Sequence, residues 1–281
     1  MDHTLTAPLA ALESRLRDLG SVVVAFSGGA DSAFLAAVAH RVLGDSAHAV
    51  TAVSPSLAGD EEADCRSLAT EWGLRWTPVV THEMERAAYR LNDTDRCFHC
   101  KAELMDVVAP IAAAEGATVV LGVNLDDLGD HRPGQQAAAQ AGAAFPLVDA
   151  GFTKQMIRDA SAAMGLRTWN KPAAACLASR IPYGTEVSVT LLSQVDRAEA
   201  ALKRLGFRQL RVRHYGDTAR LEFDLADFAD VIARRDEVVD VVHRQGYRYV
   251  TLDLDGFRSG NLNLGPPASP ETSRAQHVKS Q

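Results

Sequence analysis

The chain has 281 residues, 47% of them hydrophobic and 6% aromatic, and its 29 Lys and Arg stand against 36 Asp and Glu for a net charge of −7. That composition supplies the core of one large domain or two modest ones and excludes wholesale disorder, and the acidic balance lacks the electrostatic footprint of a general nucleic-acid binder. No apolar run approaches the roughly 20 residues that span a bilayer, and four cysteines are too few for a disulfide scaffold.

In chain order, residues 1–20 carry Asp, Glu and Arg between apolar positions, an amphipathic helix rather than a signal peptide; a soluble, cytoplasmic protein is expected. Ser21–Phe26 is a β-branched strand and 31–43 an apolar-faced helix. Ala47–Val53 is a second strand, 60–72 a helix and Arg75–Val80 a third strand. After a polar loop, 101–115 is helical and 118–123 a buried strand. Apolar strands alternating with helices predict an α/β fold, a doubly wound parallel sheet covered on both faces. Beyond residue 185 the pattern changes. Residues 188–205 form one long helix, 209–213 and 219–223 are strands around a Gly-Asp turn, 236–245 is helical and 247–254 is a last strand. This predicts a small C-terminal α+β unit with an antiparallel sheet. The expected division is 1–184, 185–264 and a disordered, proline-containing tail at 265–281.

Ser27–Ser32 reads SGGADS between the first strand and its helix. Gly28 and Gly29 let the backbone turn its N–H groups toward one point, the helix N-terminus adds its positive end, and Ser27 and Ser32 add hydroxyls. This is an anion cradle without the Gly-Lys-Ser/Thr of a Walker loop. Asp31 is out of place beside phosphate unless it holds a cation such as Mg²⁺. The loop resembles the pyrophosphate loop of the ATP-pyrophosphatase superfamily, whose members split ATP between its α and β phosphates to adenylate a substrate. The resemblance implies an ATP site with Ala52, Val53 and Ser54, at the end of the second strand, near the nucleotide.

Cys65 shares an apolar helix face with Leu68, Ala69 and Trp72 and reads as packing. Cys97 and Cys100 form a C-x-x-C pair in DRCFHCK, and Cys176 lies in PAAACLASRIPYG. From the residues alone these three are a cluster-binding set, part of a zinc site completed by His99 or His131, or plain thiols.

The segment CLASRIPYG closely resembles the sulfur-transfer segment of the LarE family, which acts in maturing the nickel-pincer cofactor of lactate racemase. DRCFHCK, LGVNLDDLGDHRPG at 121–134, RVRHYGDTARLE at 211–222 and LDGFRSGNLN at 254–263 agree with that family, so the resemblance spans about residues 20 to 263. It implies an ATP-dependent sulfurtransferase, forming AMP and pyrophosphate, that converts the carboxylates of pyridinium-3,5-biscarboxylic acid mononucleotide to thiocarboxylates. In one group of the family the cysteine matching Cys176 gives up its own sulfur; in the other, three cysteines hold a [4Fe–4S] cluster whose open iron carries the sulfide. With Cys97, Cys100 and Cys176 all present, this chain resembles the cluster-bearing group. Sacrificial donation by Cys176, or another adenylating enzyme such as a tRNA thiolase, is the alternative. The resemblance further implies no nucleic-acid or membrane partner and a homo-oligomer, hexameric in known members.

Within this frame Ser179 and Arg180 are candidates to position the acyl-adenylate, and Lys101 and Arg132, with Gly122 and Asn124, to hold the nucleotide. Arg211 and Arg213 share one strand face and face Arg220 and Glu222 on the next strand, a clamp for an anionic mononucleotide. Glu199 interrupts the apolar stripe Leu192, Val195, Leu202, which calls for a partner, expected to be an arginine of the neighbouring strand. Asp230 is a weaker candidate.

Overall fold

The computed structural model of the protein describes residues 3–129, 133–172 and 175–258. Chain order gives α1 (His3–Leu19), β1 (Val22–Ala25), α2 (Ala30–Leu43), β2 (Ala47–Val53), α3 (Gly59–Trp72), β3 (Arg75–Val80), α4 (Ala87–Arg90), α5 (Arg96–Glu115), β4 (Thr118–Val120), α6 (Pro133–Gln140), α7 (Pro146–Asp149) and α8 (Lys154–Ala163). The strands form one parallel sheet in the order β3-β2-β1-β4. Alternation on β1 decides which helices cover which face. Val22 and Val24 join a core with Leu12, Phe34, Leu35 and Ile157 from α1, α2 and α8; Val23 joins Met105, Val108 and Ala138 from α5 and α6. A sheet buried on both faces has no use for polar alternation, which is why β1 reads VVVA.

The chain runs outward from β1 through β2 to β3, then returns to the other flank of β1 as β4. The loops after β1 and β4 therefore diverge at the middle of the sheet, and the crevice beyond their carboxyl ends is the place for a ligand.

The second unit comprises α9 (Val189–Arg204), β5 (Leu210–Tyr215), β6 (Thr218–Phe223), α10 (Phe228–Ala233), α11 (Arg235–His243) and β7 (Tyr249–Leu252). β5 and β6 form an antiparallel hairpin over Gly216-Asp217, but β7 joins β6 in parallel. The expected antiparallel sheet is thus mixed: α10 and α11 carry the chain back across the sheet, and a helical crossover returns a strand in the same direction. Ser188 caps α9 by accepting from the Leu191 amide. The unit has its own core of Leu202, Phe207, Val212, Phe223 and Val242, with Phe207 and Phe223 edge-on at 4.9 Å.

A smaller cluster, Tyr89, Leu177, Ile181, Val187, Leu192 and Val195, lies between the two cores and pins α9 to the segment around Cys176. Asn92 fastens it. Its backbone is left-handed at φ 57°, a conformation Asn tolerates, and its fully buried amide donates to the carbonyls of Ile181, Pro182 and Thr185.

The largest boundary differences from expectation are at α5 and β4. α5 begins at Arg96 rather than 101, because the buried Arg96 guanidinium donates to Ala178 O at 2.9 Å and to Asn92 Oδ1; tertiary contacts fix a first turn whose residues read as loop. β4 stops at Val120, and pairing continues only as a bridge to Ala144. The 265–281 tail lies outside the described residues. Among the described residues no helix is long and apolar enough to cross a membrane.

Candidate active site

The SGGADS loop closes on itself. The Ser27 amide donates to Ser32 Oγ at 3.2 Å, the two serine hydroxyls are 3.0 Å apart, and Ser32 Oγ donates to Gly29 O at 3.2 Å. Gly28 sits at φ +68°, and a Cβ there would lie 2.8 Å from Cys65 Sγ. The loop needs glycine both for its conformation and because Cys65 is its floor. Cys65 is completely buried, and burial pushes its thiol up to about 11. A Cβ on Gly122, just past β4, would fall 2.8 Å from the Ser32 amide nitrogen and 2.9 Å from Ser32 Cα, so the two switch-point loops touch backbone to backbone. Gly29 caps α2 without any side-chain bond, leaving the first amides of the helix for a ligand. Asp31 pairs through Oδ2 with Lys154 Nζ, while its Oδ1 is buried with no partner among the described residues. An orphaned carboxylate oxygen beside a phosphate cradle fits a divalent cation. Asn124, buried nearby, accepts from the Asp126 amide at 3.0 Å. Ala52 and Val53 end β2 and Ser54 follows it, all three half-buried, with Ser54 Oγ 2.9 Å from Ser56 Oγ.

Starting α5 at Arg96 puts Cys97 and Cys100 in its first turn, three residues apart and therefore on neighbouring positions of one face. Cys97 is exposed; Cys100 and Cys176 are half-buried against the cluster that contains Tyr89 and Leu177. Burial, with the neighbouring Cys176, Glu83 and Cys97 charges, pushes the Cys100 thiol up to about 12 against the opposing pull of Lys101. Among the described residues no three His, Cys, Asp or Glu are grouped so as to hold a metal ion. His99 is paired with Asp95 at 3.1 Å instead, and His131 lies outside the described residues. A Cβ on Gly134 would meet Cys97 O at 2.9 Å and Lys101 Cγ at 2.7 Å, so α6 seats on this same turn and Lys101 stands beside the thiols.

The cysteine segment is held from below by two buried ion pairs. Arg180 makes a two-pronged pair with Glu199, 2.8 and 3.0 Å, and its remaining donors reach Ala175 O, Cys176 O and Ser179 Oγ. The partner of Glu199 is therefore Arg180 from the cysteine segment, correcting the expected strand arginine; β5 contributes only the Val212 amide, 3.0 Å from Glu199 Oε1. Arg213 of β5 pairs with Glu222 instead, through two 3.0 Å bonds, and donates a third to Ser179 O at 2.6 Å. Arg220 joins Glu222 at 3.1 Å.

Arg211 points elsewhere. It stacks 4.8 Å over Phe257 and lines a cavity of about 310 Å³ together with Glu61, Lys171, Arg180, Glu199 and Lys203. Burial and the neighbouring Arg180 and Arg213 lower its guanidinium to about 10, so it remains charged at neutral pH and would bind an anion with relief of that repulsion. Asp230 is exposed on α10, paired with Arg234 at 3.3 Å, and does not line the cavity. Arg132 lies outside the described residues.

Three groups at the site carried no sequence signal. Lys154, which neutralises Asp31, lies 123 residues from it. Lys171 donates to Glu61 at 2.7 Å and Asp64 at 2.6 Å. Glu83 is buried and accepts from Ser56 and Thr81, each at 2.8 Å. The i, i+3 spacing of Glu61 and Asp64 on α3 was the one available hint, since it puts two carboxylates on one helix face.

The profile of the asparagine synthase family matches residues 9–121. The chain is 43% identical over 263 residues to the uncharacterized protein slr1717 of Synechocystis sp., covering 92% of this chain and 98% of that one. It is 38% identical over 262 residues to the pyridinium-3,5-bisthiocarboxylic acid mononucleotide synthase of Lactiplantibacillus plantarum, covering 92% and 95%. A shorter match, 25% over 169 residues, joins 60% of the chain to the uncharacterized protein MJ0830 of Methanocaldococcus jannaschii. Relatedness at this level over nearly the whole of both chains, with a phosphate loop at the switch point of a parallel sheet, places the chain in the LarE family of PP-loop proteins.

Proposed function

We propose that this protein is an ATP-dependent sulfurtransferase that adenylates the carboxylates of pyridinium-3,5-biscarboxylic acid mononucleotide and converts them to thiocarboxylates. The observation that carries the reading is the pairing of a cysteine with a cationic cavity. Arg180, whose donors reach the carbonyls of Ala175 and Cys176, also lines the cavity with Arg211 and Lys171. The relative whose name states this product spans nearly all of the chain.

The division of labour follows the two cores. Residues 1–184 bind and activate ATP, and 185–264 present the substrate face. Amides of residues 27–32 hold the phosphates, and Asp31 would hold Mg²⁺ through its orphaned oxygen; when bound, the ion draws charge from the departing pyrophosphate. A substrate carboxylate oxygen bonds to the α-phosphorus as the α–β bridging P–O bond breaks, its electron pair leaving with pyrophosphate. AMP is then the leaving group that the bare carboxylate lacked, and a sulfur nucleophile adds to the carbonyl carbon and expels it. Arg211 meets the substrate's negative charge, and Arg180 and Arg213 fix the cysteine segment.

Cys97, Cys100 and Cys176 are right in kind and number for a three-thiolate [4Fe–4S] site, and ligation would require the first turn of α5 to close on Cys176. When bound, the cluster would supply a transferable sulfide on its fourth iron. Iron and acid-labile sulfide measured on protein purified without oxygen test this. About four irons per chain, lost in Cys97→Ala, are expected. Protein that stays iron-free after reconstitution would instead make Cys176 a consumed donor. Its thiolate would bond to the carbonyl carbon as AMP leaves, and loss of its α-proton would break the Cβ–S bond to give dehydroalanine and the thiocarboxylate. The separation of the thiols in the described residues is the observation that favours this second reading.

A further inference from the structure

The adenylation proposed above brings together two anions, a carboxylate and the α-phosphate, and so needs a cation at their junction. That junction lies where the phosphate loop meets the cavity. Arg180 is saturated by Glu199 and three neighbouring oxygens, and Lys203 is paired with Asp60. Lys171 is the cavity-lining cation that abuts the loop: its Nζ lies 3.7 Å from the point a Cβ on Gly28 would occupy. Only 17% of its side chain is exposed, and two side-chain carboxylates, Glu61 and Asp64, hold it. Burial would lower its pKa, but those two hydrogen bonds outweigh it and keep the ammonium firmly charged. An ammonium on a flexible stem, held by side chains rather than backbone, can turn to new oxygens without moving the fold.

We propose that Lys171 is a catalytic residue of adenylation, its ammonium bridging the attacking substrate carboxylate and the α-phosphate of ATP while Glu61 and Asp64 hold it between the loop and the cavity. It transfers no proton; it offsets the negative charge that gathers as the new O–P bond forms and the α–β bridge breaks. This rests on the function proposed above and deepens it.

The test is pyrophosphate release from ATP and the pyridinium dicarboxylate mononucleotide, with ATP affinity measured separately by calorimetry. In Lys171→Ala, release is expected to fall at least about 100-fold, while ATP affinity changes by less than about threefold because the contact belongs to the transition state. Ethylammonium added to this variant should restore part of the rate in proportion to its concentration, which a purely structural lysine would not allow. If Lys171→Ala does not fold, Lys171→Gln, which keeps the stem and a donor to Glu61, carries the comparison of rate with ATP affinity. A folded variant with the wild-type rate, or a slow Lys171→Ala that ethylammonium leaves slow, overturns the proposal. Wild-type protein that releases no pyrophosphate from this substrate overturns the function itself, a separate outcome.

Discussion

At the scale of single residues, the arginines of β5 separate into two kinds although they lie two positions apart. Arg213 is 5% exposed and bound on three sides, whereas Arg211 is half-exposed in the cavity wall. Arg211→Ala is therefore expected to abolish thiocarboxylate formation while the protein stays folded, with a melting temperature near that of the wild type. Unchanged turnover would remove Arg211 from the substrate site. Cys65 gives a prediction of the opposite kind, about stability alone. Its thiol rises from 9.0 to about 11 because it is buried beneath Gly28. The folded chain keeps a proton that the unfolded chain releases in this window. The contribution is therefore complete below pH 9 and is lost as pH climbs toward 11, at up to about 1.4 kcal/mol per pH unit. Denaturant unfolding of wild type and Cys65→Ala at pH 8, 9.5 and 11 checks it: the variant should lose less stability across the window, and parallel losses would assign the effect to other groups.

At the scale of elements, the switch-point loops work as a pair, and Gly122 is the more exposing test of that pairing. Gly28→Ala would combine a left-handed backbone with a clash, so its failure would be hard to apportion. Gly122 has no such φ, and the atoms nearest its added methyl would be backbone atoms of Asp31 and Ser32. Gly122→Ala should displace the start of α2 and weaken ATP binding at least about tenfold, since amides aimed at the phosphates supply the site. Circular dichroism should remain native, because the strands behind the loop keep their packing. ATP affinity equal to wild type would mean that the two loops do not share the nucleotide. The sequence made most of this frame legible. Val22–Ala25 and Ala47–Val53 are apolar runs with a single reading, and SGGADS sits in the only strand–loop–helix context that suits it. What it concealed were choices settled by distant partners. The first turn of α5 is polar and forms because Arg96 reaches Ala178, and Glu199 pairs with Arg180 rather than with a strand arginine. β7 runs parallel to β6 because a helical crossover, α10 and α11, precedes it, and of that crossover only 236–245 has a helical reading in the sequence. Lys171 carries no signal in the sequence because its two carboxylate partners lie 110 and 107 residues away on α3.

At the scale of the molecule, the cysteine segment is fastened to both units at once. From the first unit, Ser56 O accepts from the Leu177 amide at 2.8 Å and Arg96 donates to Ala178 O. From the second, Glu199 holds Arg180 and Arg213 holds Ser179 O. Sulfur delivery to an activated carbonyl demands such positioning, since displacements of an ångström at reacting atoms cost orders of magnitude in rate. The Arg213 link can be cut selectively. Arg213→Ala removes a donor to the segment and strips Glu222, whose side chain is fully buried, of its two-pronged partner. Losing one member of a buried pair costs about 3–5 kcal/mol, and Arg220 beside Glu222 keeps the loss toward the lower figure. Hydrogen exchange should then accelerate in residues 175–181 and in β5 and β6 but not in β1 and β2, whose core shares no residue with this pair. Arg211→Ala should disturb that pattern less, since the Glu199–Arg180 and Arg213–Ser179 bonds to the segment stay in place. Uniform acceleration across both sheets in Arg213→Ala would mean that the protein unfolds as one cooperative block, and the segment would then owe its position to the whole fold rather than to this arginine.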